Sequence, residues 1–187
     1  MNSTTDKALM MKVKEGDLDK LGLLFERYNR PLYSFFYKKT FQTDVSEDLV
    51  QSVFERMLKY RSTYSGSGAF TTWMFSIARN AHIDHYRQNK KHNEKEELDE
   101  DRMGGASPEF GEMDERTKRK KILEKALDQL DEDKKEVVIL SRYEGLKYAE
   151  IAEIQGVTES AVKVRFFRAM KDLKNIVHTL SEEYSDE

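Results

Sequence analysis

The chain has 187 residues, a formal net charge of −3, and 36% charged against 38% hydrophobic residues, which suits one medium domain or two small ones with wide solvated faces better than a single thick core. It contains no cysteine, so disulfides and thiolate chemistry are excluded, which fits a reducing compartment. No apolar run reaches bilayer-spanning length, and the opening MNSTTDKALMMKVKEGD lacks the apolar stretch of a signal peptide, so a soluble cytoplasmic protein is expected.

Strand-like alternation is scarce, and Pro31 and Pro108 are the two prolines of the chain, so long helices are permitted over most of it. Residues 1–92 read as helices throughout. DLDKLGLLFERYNRPLYSFFYKKT places Leu18, Leu21, Leu24, Phe25, Tyr28, Leu32 and Phe36 at helical spacings, with a local kink predicted at Pro31. TDVSEDLVQSVFERMLKY opens on Thr43 or Asp44 as N-cap and sets Val45, Leu49, Val53 and Leu58 down one side. RSTYSGSG breaks that helix at Gly66 and Gly68. AFTTWMFSIARNAHIDHYRQNKK resumes it, with Phe70, Trp73, Met74, Ile77, Ala81 and Ile83 inward and Arg79, Arg87, Lys90 and Lys91 outward.

Residues 93–115 differ in kind. Between Glu94 and Glu115 stand ten acids and two bases, a Gly-Gly pair and a Ser-Pro. Such a segment buries too little apolar surface to offset its ordering entropy, and it reads as a flexible linker. A coil of this length holds its ends about 25 Å apart on average. The segment carries net −8, and the tail, residues 181–187, net −4, which leaves +9 on the rest of the chain. The acidic total therefore hides two basic bodies.

The second body, residues 116–180, begins with KKILEKALDQL, whose Ile122, Leu123, Ala126, Leu127 and Leu130 follow a helical period. DEDKKEVVILSRYEG starts at an Asp cap, buries Val137, Val138 and Leu140, and ends at Gly145. KYAEIAEIQG then stops at Gly156, a left-handed C-cap by its position. Thr158 caps the last helix, whose inner stripe is Val162, Phe166, Ala169 and Leu173. Ala152 and Gly156 allow two helices to cross closely and turn sharply, the pattern of a helix-turn-helix. With Val162 filling the junction, Ser160, Lys163, Val164, Phe167 and Arg168 face outward, as a helix reading a major groove requires. Phe167 is unusual on such a face and suits thymine methyls, DNA sugars or the edge of the core. The bland alternative is an amphipathic hairpin with solvated charges; the +9 outside the acidic segments favours the DNA reading.

Taken together, the two halves resemble a known family. EDLVQSVFERML followed by GAFTTWMFSIARNAHIDHYR resembles the second conserved region of bacterial RNA polymerase sigma factors. ALDQLDEDKKEVVILSRYEGLKYAEIAEIQGVTESAVKVRFFRAMKDLK resembles their fourth region. The short start and the lack of a domain between the two are similar to the extracytoplasmic-function group of the sigma-70 family. The resemblance implies an all-α protein of two small helical domains that binds core RNA polymerase and directs it to promoters. By position, Asp48, Gln51 and Phe54 match the helix that docks on the polymerase clamp, although the Phe54 ring reads better as core. The loop with Tyr60, Tyr64, Ser65 and Ser67 and the helix bearing Arg79, Asn80, Asp84, Arg87 and Lys90 match the part that opens the −10 element and holds its single strand. Aromatic surfaces, small residues and positive charge are what strand capture needs. Trp73 at its spacing reads as core before wedge. Ser160, Lys163, Val164, Arg165, Phe167 and Arg168 match the readers of the −35 duplex, with Arg165 towards the helix side. Gln155, Ala161 and Val164 depart from the apolar residue, threonine and serine common at those places. The resemblance also implies an anti-sigma partner, often membrane-bound, a location in the cytoplasm or tethered at the membrane through that partner, and a monomer when free. It implies no catalytic residue, cofactor or metal. The acidic linker lies near the RNA exit path in this family, where its charge would mimic nucleic acid.

Two rival readings remain. A polymerase-independent helix-turn-helix regulator explains the second body but not the polar DLVQ face or the loop-plus-helix of the first. A metal enzyme would use His82, His85 and His92 with Asp84, but no third ligand has convincing spacing, and no nucleotide-binding loop or nucleophile motif is present.

Overall fold

The structure, a computed structural model, describes residues 4–96 and 114–183, with side chains described for 4–89 and 114–183. The middle of the expected linker, the end of the tail, and the side chains of Lys90, Lys91 and His92 lie outside the described residues. The described residues form helices and no strands, in keeping with the all-α expectation.

Helix α1 spans Asp6–Lys14 and is capped by Thr5, whose hydroxyl accepts from the Ala8 N–H at 3.3 Å. It buries Leu9, Met10 and Val13. Asp6 ties it to α2 (Lys20–Thr40), accepting from Arg27 at 2.5 Å and from the Tyr28 hydroxyl at 2.7 Å. Helix α2 runs through Pro31 without a break. It ends at Phe41, whose backbone is left-handed at φ +52°, the one such non-glycine among the described residues. That reversal makes the extended Gln42 the N-cap of α3 (Thr43–Lys59), one residue before Thr43 and two before Asp44, the expected caps. A short 3₁₀ turn, Arg61–Thr63, and the glycine loop lead into α4 (Phe70–Glu96). Phe35, Phe36, Leu32, Val53, Met57 and Met74 are wholly buried between these helices. Phe35 meets Phe36 and Phe75 edge-on at 5.2 and 5.3 Å. Each such ring contributes about 2–3 kcal/mol by removal from water.

The second half opens with α5 (Glu115–Asp128), capped by Asp114, which accepts from Thr117 N–H at 2.7 Å. Helix α6 (Glu132–Val138) continues as a π-helical turn, Ile139–Tyr143. Helix α7 (Tyr148–Gln155) stops at Gly156, φ +66°, a conformation that strains any residue with a Cβ. Helix α8 (Glu159–Glu183) begins at Thr158, whose hydroxyl accepts from Ala161 N–H at 3.2 Å. Ala152 and Val162 close the α7–α8 corner, as their spacing predicts, and Ile151 is buried with them. Helices α5, α6 and α8 share a second cluster of Ile122, Ala126, Leu127, Val138, Ala169 and Leu173.

The halves also pack on one another. The core of the first half is continuous with Val137, Ile139, Leu140, Ile151 and Val162 of the second, and α4 lies against α7. Sequence spacing gives no signal for this interface.

Candidate nucleic-acid interface

Three surfaces hold the residues singled out from the sequence. On α3, Asp48 and Gln51 are exposed, and the Gln51 amide donates to Glu55 at 2.9 Å. Phe54 is buried, its ring 4.9 Å from that of Phe25. Between α2 and α3 runs a largely apolar groove walled by Phe25, Tyr33, Val50 and Gln51. Phe25 keeps an exposed edge there. This groove was not foreseen, because its walls come from two helices whose periodicities each read simply as core.

The loop surface differs from expectation at one residue. Tyr64 is 1% exposed, its ring 5.0 Å from Trp73 and close to Phe70. It is a core side chain beneath the loop and offers no stacking face. Burial raises its phenol's pKa above the ordinary range. Its carbonyl accepts from Lys14 at 2.6 Å, pinning the loop to α1. Ser65 and Ser67 are exposed and share a hydrogen bond at 2.5 Å. Tyr60 is the exposed aromatic of this corner, with Lys59 5.3 Å over its ring. On α4, Asn80 and Arg87 are open to solvent. Asp84 accepts from Arg56 at 2.7 Å, and Arg79 donates to Glu136 of the other half at 3.0 Å. Among the described residues no group of three histidine or carboxylate side chains is placed to hold a metal ion.

On α8, Ser160, Lys163, Val164, Phe167 and Arg168 form one exposed face. Phe167 is 73% exposed, so it is on the outward face of the helix and not in the core. Lys163 pairs with Glu159 one turn before it at 2.7 Å. Arg165 is half-buried at the side of the helix, donating to the Gln155 amide oxygen at 2.5 Å and lying 3.5 Å from Asp133.

The missed centre of the structure is Glu136, 4% exposed. Its carboxylate takes Lys39 at 3.0 Å, Arg79 at 3.0 Å and the Gln155 amide at 2.9 Å. Lys39 also reaches Glu132 at 3.1 Å. Burial pushes the Glu136 carboxyl's pKa up, but Lys39, Gln155 and Arg79 more than offset it, so it stays ionised below the usual carboxylate range. Gln155, which the sequence suggested would wet the turn, is buried and satisfied on both sides by Glu136 and Arg165. His82 lines the same cleft; burial and then the Lys39 charge push its pKa down to about 4.

A family model described as Sigma-70 region 2 matches residues 24–92, and one described as Sigma-70, region 4 matches residues 120–173. The ECF RNA polymerase sigma factor BldN of Streptomyces coelicolor is 29% identical over 181 residues, covering 92% of this chain and 67% of that protein. The ECF RNA polymerase sigma factor SigX of Bacillus subtilis is 29% identical over 169 residues, covering 88% and 87%. The solved structure of CnrH in complex with the cytosolic domain of CnrY has the same fold, with a TM-score of 0.72, 21% identity, and coverage of 93% of this chain and 97% of that one. With both regions present in order and relatives matched over most of its length, the chain belongs to the extracytoplasmic-function group of the sigma-70 family of bacterial RNA polymerase sigma factors.

Proposed function

We propose that the chain is a transcription initiation factor that binds core RNA polymerase in the cytoplasm and directs it to promoters, the polymerase supplying all the chemistry. The observation that carries this reading is the pairing of a region 2 body with an exposed recognition face on α8, Lys163, Val164, Phe167 and Arg168, in one chain.

In this reading Asp48 and Gln51 make the polar contact to the polymerase clamp, and the adjoining groove at Phe25 and Val50 receives apolar side chains from it. Phe54 acts from behind by holding Phe25 in place. Ser65, Asn80 and Arg87 touch the −10 single strand, and Arg79 joins them when it leaves Glu136. Asp84 steadies Arg56, and Tyr64 supports the loop from within. Ser160, Lys163, Val164, Phe167 and Arg168 enter the −35 major groove, where Val164 and Phe167 suit thymine methyls and Arg168 a purine edge or phosphate. Arg165 contacts the backbone from the side. Before use the chain is held by an anti-sigma protein, and when free it is a monomer; CnrH, which shares the fold, was solved in complex with the cytosolic domain of CnrY. No described helix is long and apolar enough to cross a membrane, so attachment to one falls to that partner.

Run-off transcription with purified core polymerase on promoters from the source genome tests the reading. Initiation that depends on added protein is the expected result. Absence of both core binding and initiation overturns it, whereas duplex binding without core binding selects the polymerase-independent regulator.

A further inference from the structure

We propose that α1 is a brace for the glycine–serine loop, and that Lys14 and Met11 are positioning residues that set the loop's grip on the −10 single strand and its choice of base. The inference rests on the initiation-factor reading above.

Lys7, Met11 and Lys14 follow one another at helical spacing and share one face of α1. That face lies against the loop. Lys14 donates to the Tyr64 carbonyl, 50 residues away in sequence, at 2.6 Å. Gly66 is buried beside it, and a Cβ added there would stand 3.2 Å from the Met11 sulfur and 3.4 Å from Lys7 Cε. Gly66 is also left-handed, at φ +71°. Glycine therefore lets the loop both turn here and lie this close to α1.

The brace is itself anchored. Leu9, Met10 and Val13 bury another face of α1, and Asp6 holds the helix to Arg27 and Tyr28 of α2. The Tyr28 ring packs on Phe70 at 5.2 Å, and Phe70 packs on Tyr64. The loop is thus held at its root by the Tyr64 ring and along its back by α1.

This contact places the exposed lip of the loop. The Tyr64 carbonyl belongs to the peptide that joins buried Tyr64 to exposed Ser65, so Lys14 fixes the plane from which Ser65 departs. The Ser65 hydroxyl accepts from Ser67 N–H at 3.1 Å and shares a hydrogen bond with the Ser67 hydroxyl at 2.5 Å. Both hydroxyls offered to a base are therefore set from α1, through one peptide plane and one glycine. A loop without the brace samples other shapes. Its affinity falls with the fraction of time spent in the binding shape, and a yielding pocket separates a matched base from a wrong one less well.

The test uses holoenzyme assembled from core polymerase and each variant. Fluorescence anisotropy follows its binding to a labelled single strand carrying the −10 element of a promoter that wild type transcribes, and to strands substituted one base at a time. Lys14→Met keeps the aliphatic stem and removes the donor. It should weaken matched-strand binding about five- to tenfold, as a competent fraction of about one in five to one in ten requires, and narrow the margin over substituted strands. Thermal unfolding, core affinity and the salt dependence of strand binding should match wild type, because the lysine holds the loop and not a phosphate. Lys14→Arg, which keeps a donor, should retain wild-type affinity and base preference. Met11→Ala, which removes the wall behind Gly66, should reproduce the loss. Lys12→Met, at an exposed position on the same helix, should leave binding within about twofold. Wild-type affinity and base preference in Lys14→Met overturn the brace. So does a loss accompanied by a shallower salt slope, which assigns Lys14 to a phosphate. If wild type forms no holoenzyme and initiates no transcription, the initiation-factor reading itself has failed; if wild type binds and discriminates and the variants match it, only the brace has.

Discussion

Acid should weaken this protein through one histidine. His82 is 9% exposed and sits in the cleft between the halves. Burial is the largest influence on it and the Lys39 charge the next, both lowering its pKa; Glu132 and Glu136 oppose them and His85 adds a little. The result is a folded pKa of about 4, against 6.5 for the free side chain. Between those values the unfolded chain carries the proton and the folded chain does not. Stability is therefore complete above pH 6.5 and is lost as pH falls towards 4. Integrating between pH 7.5 and pH 5 gives a loss of about 2 kcal/mol from this residue alone. Glu132 and Glu136 are both held below the usual carboxylate range, so they remain ionised over this interval. The variant His82→Leu keeps comparable volume and cannot titrate, and contributions common to both proteins cancel in the comparison. Urea unfolding, followed by Trp73 fluorescence and by helical circular dichroism, gives stability at the two pH values. Wild type should lose about 2 kcal/mol more than the variant. Parallel losses, within about 0.5 kcal/mol, would refute the argument that His82 is buried neutral beside Lys39.

Glu144 should behave with the opposite sign. Burial raises its pKa from 4.5 to about 7 against the pull of Lys38, so its cost is absent below pH 4.5 and complete above pH 7; Glu144→Gln should stabilise by about 1 kcal/mol at pH 8, after allowance for partial exposure, and not at pH 4.5. The Tyr64 hydroxyl is buried without a hydrogen-bond partner among the described residues, so Tyr64→Phe should raise urea stability by about 1 kcal/mol, and unchanged or reduced stability would mean the hydroxyl is satisfied. Phe167→Ala, at an exposed position, should leave thermal stability within about 0.5 kcal/mol while weakening −35 duplex binding about tenfold in a fluorescence anisotropy titration. Glu159→Gln frees Lys163 from its partner 2.7 Å away and should tighten −35 duplex binding about twofold at low salt, a gain that fades at high salt.

What could be read from the sequence was local. The α7–α8 corner follows from Ala152, Gly156, Thr158 and Val162, four residues within eleven positions whose sizes and backbone preferences act on their neighbours. The outward face of α8 follows from the same helical period. What could not be read depended on distant partners. Lys39 and Glu136 are 97 residues apart and Arg79 and Glu136 are 57 apart, and no periodicity couples them. Tyr64 looked available because glycines and serines surround it, but its fate is decided by Trp73, Phe70 and α1. Gln155 looked like a wet turn because its partners, Glu136 and Arg165, lie on other helices. The cap of α3 moved to Gln42 because Phe41 turns left-handed, which no residue preference favours.

The positive charge available to DNA is smaller than the count of cations alone suggests. Several cations proposed to meet DNA already have partners within the protein: Arg79 with Glu136, Lys163 with Glu159, and Arg165 with Gln155 and near Asp133. Each phosphate contact by one of these must first displace an internal acceptor, so its net gain is smaller than a free cation would give. The cost is unequal. Lys163 leaves an exposed, solvent-screened carboxylate, worth little, whereas Arg79 leaves a buried one, which is expensive unless the halves part and let water reach Glu136.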